Sequence, residues 1–178
     1  MKSIGIKGIQ EEFNRLVNSA DTYPKDEAIF EPNSQALRSL FNVHRRDPYF
    51  LSFWKRPELY DKAKQILGSD VYIHQSRVNL KPAFRGKEFY WHSDFETWHM
   101  EDGMPRMRAV SCLIALTENN PFNGSLMVMP GSHKTFVSCV GETPANHHLE
   151  SLRKQEYGVP DDASLKKLAG QHGILSPM

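Results

Sequence analysis

Three things are scarce in this 178-residue sequence, and each scarcity excludes something. Only two cysteines occur, Cys112 and Cys139, 27 positions apart. They can frame neither a disulfide-stapled secreted domain nor a CxxC metal or redox motif, so a reducing, cytoplasmic compartment is expected. Charge of one sign is not in excess, with 22 basic residues against 21 acidic. That balance removes the electrostatic footprint of a nucleic-acid or anionic-membrane binder and leaves small polar molecules as the expected partners. Long apolar runs are missing too: none reaches the roughly 18 residues a membrane helix needs, and MKSIGIKGIQEEFNRLVNSAD has no signal-peptide apolar core. The length suits one domain, residues 1–178, with a core of its own.

The first part of what is present reads as helix. Ile9, Phe13, Leu16 and Val17 recur at helical spacing and predict an amphipathic helix over residues 7–20. EPNSQALRSLFNVHRRDPYF reads as loop and single helical turns. RPELYDKAKQILGSD predicts a helix with Pro57 in its first turn, Gly68 at its end and a buried stripe of Leu59, Ala63, Ile66 and Leu67. From Val71 the texture becomes β-branched and aromatic. VYIHQSRVNLKP, EFYWHSDF, MRAVSCLIALT and GSLMVMPGSH read as four strands, separated by the turn-forming AFRGK, EDGMP and ENNPFNG. LESLRKQEYG and DASLKKLAGQHG return to helix. The expected fold is therefore α+β or mostly β, with flanking helices and an antiparallel sheet that folds over on itself.

The chemistry concentrates in FYWHSDFETWH, residues 89–99. On a strand, His92 and Asp94 would point to the same face and present an imidazole nitrogen beside a carboxylate oxygen. An H-x-D pair followed later by a second histidine is the sequence form of the two-histidine, one-carboxylate triad that holds Fe(II) and leaves other positions open. The tripeptide alone is a weak signal, because an exposed strand edge produces it as well. Its neighbours Phe89, Trp91, Phe95 and Trp98 argue for a pocket wall, since exposing all four would leave a large aromatic patch.

Taken together, VYIHQSRVNLKP, GKEFYWHSDFETWHMEDGMPRMRA, FNGSLMVMPGSH and SCVGETP resemble the ectoine hydroxylase branch of the phytanoyl-CoA dioxygenase-like Fe(II)- and 2-oxoglutarate-dependent oxygenases, over about residues 33–177. The resemblance implies a double-stranded β-helix core, a cupin-like jelly roll. It also implies hydroxylation of the cyclic solute ectoine to 5-hydroxyectoine, with iron as cofactor and 2-oxoglutarate and O2 as cosubstrates. Carried over, His92 and Asp94 match two iron ligands and act in catalysis. Gln75, Arg77, Thr97 and Trp98 match the substrate pocket, and Asn79 lies near the cosubstrate. These residue types suit a small zwitterionic ring: an arginine for a carboxylate, an amide and a hydroxyl, and an aromatic plane for a delocalised cation. Each also has a plainer reading, Trp98 as core, Gln75 and Thr97 as strand surface, Arg77 as a surface ion pair.

The pattern is not fully matched. The family's second histidine and the arginine beyond it, which anchors 2-oxoglutarate, have no counterpart. His172 in QHGI aligns instead with a polar connector, His133 in PGSH reads as loop-structuring, His147 and His148 fall in a polar stretch, and His99 belongs to the motif in another role. Leu113 stands where the family tends to have a serine beside the cosubstrate. The expectation is an interior, partial oxygenase domain whose unpaired sheet edges favour association, a homodimer included. Two alternatives stay open: a solute-binding relative without catalysis, and an oxygenase acting on another small cyclic amino acid.

Overall fold

The structure is a computed structural model and describes residues 5–31, 34–81, 89–120, 122–137 and 157–175. The chain groups into two compact units, Met1–Gly86 with Ala109–Leu116, and Lys87–Arg108 with Thr117–Met178.

The first unit opens with α1 (Ile6–Asn18), close to the expected span. Its apolar stripe does what the periodicity demands: Ile9 and Leu16 are buried, and Phe13 and Val17 are half-buried. Two strands follow where no strand was expected, β1 (Ala28–Phe30) and β2 (Leu37–Phe41). They pair antiparallel, with a register irregularity between Ile29 and Phe30, and β2 pairs antiparallel with β3 (Arg77–Asn79), giving a three-stranded sheet in the order β1, β2, β3. The central strand is hidden because LRSL buries all four of its residues, so the alternation of a half-exposed strand is missing. Its buried Arg38 is matched by buried Glu31, Nη1 to Oε1 at 3.0 Å.

After β2 come α2 (Val43–Arg46), α3 (Pro48–Trp54) and α4 (Pro57–Leu67). Asp47 starts α3 by accepting from the backbone N–H groups of Tyr49 and Phe50, and its other carboxylate oxygen takes the Arg15 guanidinium at 2.5 Å. The core is Leu16, Ala20, Ala28, Leu37, Leu40, Val43 and Phe50. Helix α4 has the predicted Pro57 start and Gly68 stop, Gly68 holding φ +64°. Its predicted stripe is corrected: Leu59, Ala63 and Leu67 are only half-buried and Ile66 is 66% exposed. Periodicity marks the face able to bury, but burial needs a facing element.

The second unit holds α5 (Asp94–Asp102) and α6 (Asp162–His172), the latter as DASLKKLAGQHG predicted. Asp161 starts α6 by accepting from Ser164 N–H at 2.7 Å. The β expectation fails across most of this part of the sequence. Of VYIHQSRVNLKP only residues 77–79 form a strand, EFYWHSDF gives way to helix from Asp94, and MRAVSCLIALT runs without a ladder. GSLMVMPGSH contributes one antiparallel bridge, Val128 with Leu175. β-propensity marks fitness for a pleated, half-buried surface, whereas a ladder also needs a partner backbone. Among the described residues no ladder pairs with 107–117. Within LESLRKQEYG, residues 149–156 lie outside the described residues, as do Cys139, His147 and His148. No helix among the described residues is long and apolar enough to cross a membrane.

Candidate functional site

The expected site residues fall in both units. In the first, Arg77 and Asn79 sit two apart on β3, on one face, opposite Phe41 and Ser39 of β2. The Arg77 guanidinium lies 5.9 Å from the Phe41 ring centre, and Asn79 Oδ1 accepts from the Ser39 hydroxyl at 2.8 Å. Gln75 precedes the strand and is exposed. Between Gln75 and Arg77, buried Ser76 is tied to buried His44: its Oγ accepts from His44 N–H at 3.1 Å and lies 2.5 Å from Nδ1. Burial first, then the charge of Arg45, pushes the His44 imidazole below its ordinary pKa, so it is held neutral. A shallow depression lined by Asp61, Lys64, Gln65, Gly68, Ser69 and Asp70 is also in this unit and includes none of the expected site residues. Leu113, where the family pattern expects a serine, is 64% exposed.

In the second unit the strand expected through His92 and Asp94 is replaced by a helix start. Ser93 occupies the position before the helix with extended φ −110° and ψ 127°, Asp94 and Glu96 place negative charge in the first turn, and Gly103 ends the helix at φ +68°. SDFE has the S-x-x-E spacing of a helix start, a signal that outweighs the aromatic texture. His92 and Asp94 still converge, with Nε2 3.5 Å from Oδ1. The helix also groups residues that a strand would have split. Asp94, Thr97 and Trp98 stand at i, i+3 and i+4 and share one face.

The polar contacts of this turn decide its chemistry. His92 Nδ1 lies 2.6 Å from the Tyr90 carbonyl oxygen, which can only accept, so Nδ1 carries the proton. The neutral ring then turns its Nε2 lone pair toward the Asp94 carboxylate, acceptor against acceptor. A proton on Nε2 or a metal ion between the two would turn this repulsion into attraction. Two donors that bind one ion at about 2.1 Å each lie within roughly 4.2 Å of one another, and this pair satisfies that bound. An imidazole whose other nitrogen is anchored on a carbonyl is the usual form of a metal-ligating histidine. The donors therefore fit two positions of an Fe(II) site; among the described residues no cluster of three His, Cys, Asp or Glu side chains suited to a metal is present.

The remaining aromatics are less enclosed than a pocket wall requires. Phe89 is 44% exposed, while Trp91, Phe95 and Trp98 are half-buried. Phe95 stacks on His99 at 5.5 Å and meets Phe136 edge-on at 6.4 Å. His99 is occupied by the end of its own helix, Nδ1 lying 2.7 Å from Met104 O. The Thr97 hydroxyl donates to Tyr157 O at 3.2 Å. His172 packs against Gly131 of the PGSH turn, where an added Cβ would lie 3.1 Å from Nδ1.

Two residues were missed by sequence reasoning. Glu96 is 0% exposed, and Gly158 is so close to the start of α5 that a Cβ there would meet Ser93 O at 2.3 Å. The S-x-x-E spacing could have revealed Glu96; nothing local marks Gly158.

Comparison with known proteins shows the family. Ectoine dioxygenase of Bordetella bronchiseptica is 56% identical over 169 residues, covering 95% of this chain and 55% of the relative. Ectoine dioxygenase of Halomonas elongata is 50% identical over 177 residues, covering 99% of this chain and 53% of the relative. This chain thus spans about half the length of these curated relatives. The crystal structure of EctD from S. alaskensis with 2-oxoglutarate and 5-hydroxyectoine superposes with a TM-score of 0.85 at 43% identity, over 99% of this chain and 58% of that one. The structure of the same enzyme with bound Fe gives 0.85 at 44% identity, over the same shares of the two chains. The family model for phytanoyl-CoA dioxygenase (PhyH) matches residues 5–168, and the chain belongs to that family.

Proposed function

We propose that this chain is part of an Fe(II)- and 2-oxoglutarate-dependent oxygenase that hydroxylates ectoine to 5-hydroxyectoine. The observation that carries the reading is the His92–Asp94 pair: two donors 3.5 Å apart, with the imidazole proton committed to Tyr90 O and Nε2 turned to the carboxylate. Relatives named ectoine dioxygenase at 50–56% identity, and the EctD complexes with Fe, 2-oxoglutarate and 5-hydroxyectoine, support the choice of metal, cosubstrate and substrate. The family match runs unbroken through both compact units, which supports one partial oxygenase domain over residues 1–178, built on the jelly-roll core of the family.

His92 and Asp94 would hold the iron, which, together with 2-oxoglutarate and O2, supplies the oxidising power to insert oxygen into a substrate C–H bond. The residues of the chain position and select. Trp98 and Thr97, on the Asp94 face of α5, offer an aromatic plane and a hydroxyl oxygen to the substrate. Because the Thr97 proton goes to Tyr157 O, its oxygen meets a ligand as an acceptor. In the first unit, Arg77 and Gln75 carry the cation and amide, and Asn79 a second amide, that the family pattern assigns to substrate and cosubstrate. Ectoine is the expected partner, with neither nucleic acid nor membrane. The apolar Phe122, Met127 and Phe136, at 96%, 52% and 56% exposure, support self-association, and the exposed free thiol of Cys112 supports a reducing cytoplasmic setting.

The test is an anaerobic visible titration of the whole protein of which this chain is part, with Fe(II) and 2-oxoglutarate, followed by exposure to air with ectoine, with proline, and with no substrate. The expected result is a charge-transfer band that needs both additions, and 5-hydroxyectoine formed only with ectoine. Asp94→Ala should abolish both. A band that persists in Asp94→Ala, or product from proline alone, overturns the reading.

A further inference from the structure

Glu96 has no role in the chemistry so far, yet it is the most deeply buried ionisable group among the described residues, at 0% exposure. It lies two residues after Asp94, which at about 100° per residue puts it roughly 200° around α5, on the face opposite Asp94, Thr97 and Trp98. Its Oε1 accepts from the backbone N–H of Val137 at 2.7 Å, 41 positions along the chain, while its Oε2 is buried with no hydrogen-bond partner among the described residues.

A glutamate at the third helical position after a serine ordinarily reaches back to that serine's own N–H. Here the Ser93 N–H is taken by Gly158 O at 2.9 Å, and no side-chain cap forms at Ser93. The carboxylate is thereby diverted from the helix start to the distant backbone of Val137. Three ties then hold one turn from two sides: Ser93 N–H to Gly158 O, Thr97 Oγ1 to Tyr157 O, and Val137 N–H to Glu96 Oε1. Burying a carboxylate with one oxygen unpaired costs stability, so a merely structural device at this point would be better served by an apolar side chain.

We infer that Glu96 is a positioning residue for the metal pair: by accepting the Val137 N–H it fixes the roll of α5 and so aims the Asp94 carboxylate at His92 Nε2. The inference rests on the reading of His92 and Asp94 as metal ligands. Support for a ligand from groups behind it is typically worth 10- to 100-fold in metal affinity.

The test is a titration of the full chain with Mn(II), free ion being counted by electron paramagnetic resonance, in Asp94→Ala, Glu96→Met and Glu96→Gln, with thermal melts in parallel. Glu96→Met keeps volume and removes the acceptor; Glu96→Gln keeps an acceptor oxygen for Val137. The expected result is loss of Mn(II) binding in Asp94→Ala, a weakening of about tenfold or more in Glu96→Met with an unchanged or higher melting temperature, and recovery to within about threefold of the parent in Glu96→Gln. If Asp94→Ala loses the ion while Glu96→Met binds like the parent, the inference about Glu96 fails and the site reading stands. If Asp94→Ala still binds, the site reading itself fails. A Glu96→Gln variant as weak as Glu96→Met, or a Glu96→Met chain that cannot fold, overturns positioning through the Val137 hydrogen bond.

Discussion

Among the described residues, the side chains buried to 1% exposure or less are Leu16, Leu40 and Val43 in the first unit, all apolar, and the carboxylate of Glu96 in the second. The first unit joins a three-stranded sheet to helices that bury a common apolar cluster. The second, among its described residues, has two α-helices, a 3-10 helix at Ser132–Lys134, a single β-bridge and a set of hydrogen bonds converging on residues 93–97. Apolar burial is non-directional: it holds elements together and tolerates small shifts. Hydrogen bonds are directional and fail beyond a few tenths of an ångström. A pair of donors that must converge on one point is better served by the second kind of construction.

The sharpest way to break the comparison is to remove apolar volume where it is said to matter. Leu40→Ala should cost about 2–5 kcal/mol, read as a lower urea midpoint at unchanged slope. A loss below about 1 kcal/mol would mean that the sheet is held by something other than its core.

Gly158→Ala probes the second unit in the same spirit, adding one methyl group where there is no room. At φ +70° an alanine is strained, and its Cβ would collide with Ser93 O, so about 1–3 kcal/mol should be lost. The amide of Ser93 should exchange faster in that variant. Parental protection at Ser93 would show that the close approach does not organise the turn.

The smallest effect should come from pH. Burial holds the folded-state pKa of His44 below its unfolded value near 6.5, so the unfolded chain takes up a proton first. This contribution to stability is complete above that pH and is lost as the pH falls below it towards the folded-state pKa. Stability measured between pH 5 and 7.5 should rise with pH, and the rise should be flatter in His44→Asn. An equal slope in both proteins would remove His44 from the account.

How legible was this in the sequence? Helices α1, α4 and α6 were readable because their signals are local: apolar spacing, Pro57 and Gly68, an aspartate before the first turn. The central strand β2 was not, because a fully buried strand lacks alternation. His92 and Asp94 converge at a helix start and not on the strand expected for them, since both geometries allow residues two apart at such a junction to approach. The neighbourhood of that pair was not legible. Val137 and Gly158 lie 41 and 62 positions from Glu96, and no pattern of neighbours along the chain encodes contacts at that separation.

By itself, then, the sequence determined the residue chemistry and the helix punctuation: the H-x-D pair amid aromatics, the S-x-x-E start, the caps and the family pattern. What only the tertiary structure decided is where the polar groups go. Gly158 takes the Ser93 N–H, the Glu96 carboxylate is sent to Val137 instead, and Tyr90 O fixes the His92 tautomer. Each buried donor or acceptor must find a partner, and which one it finds depends on what the fold brings near.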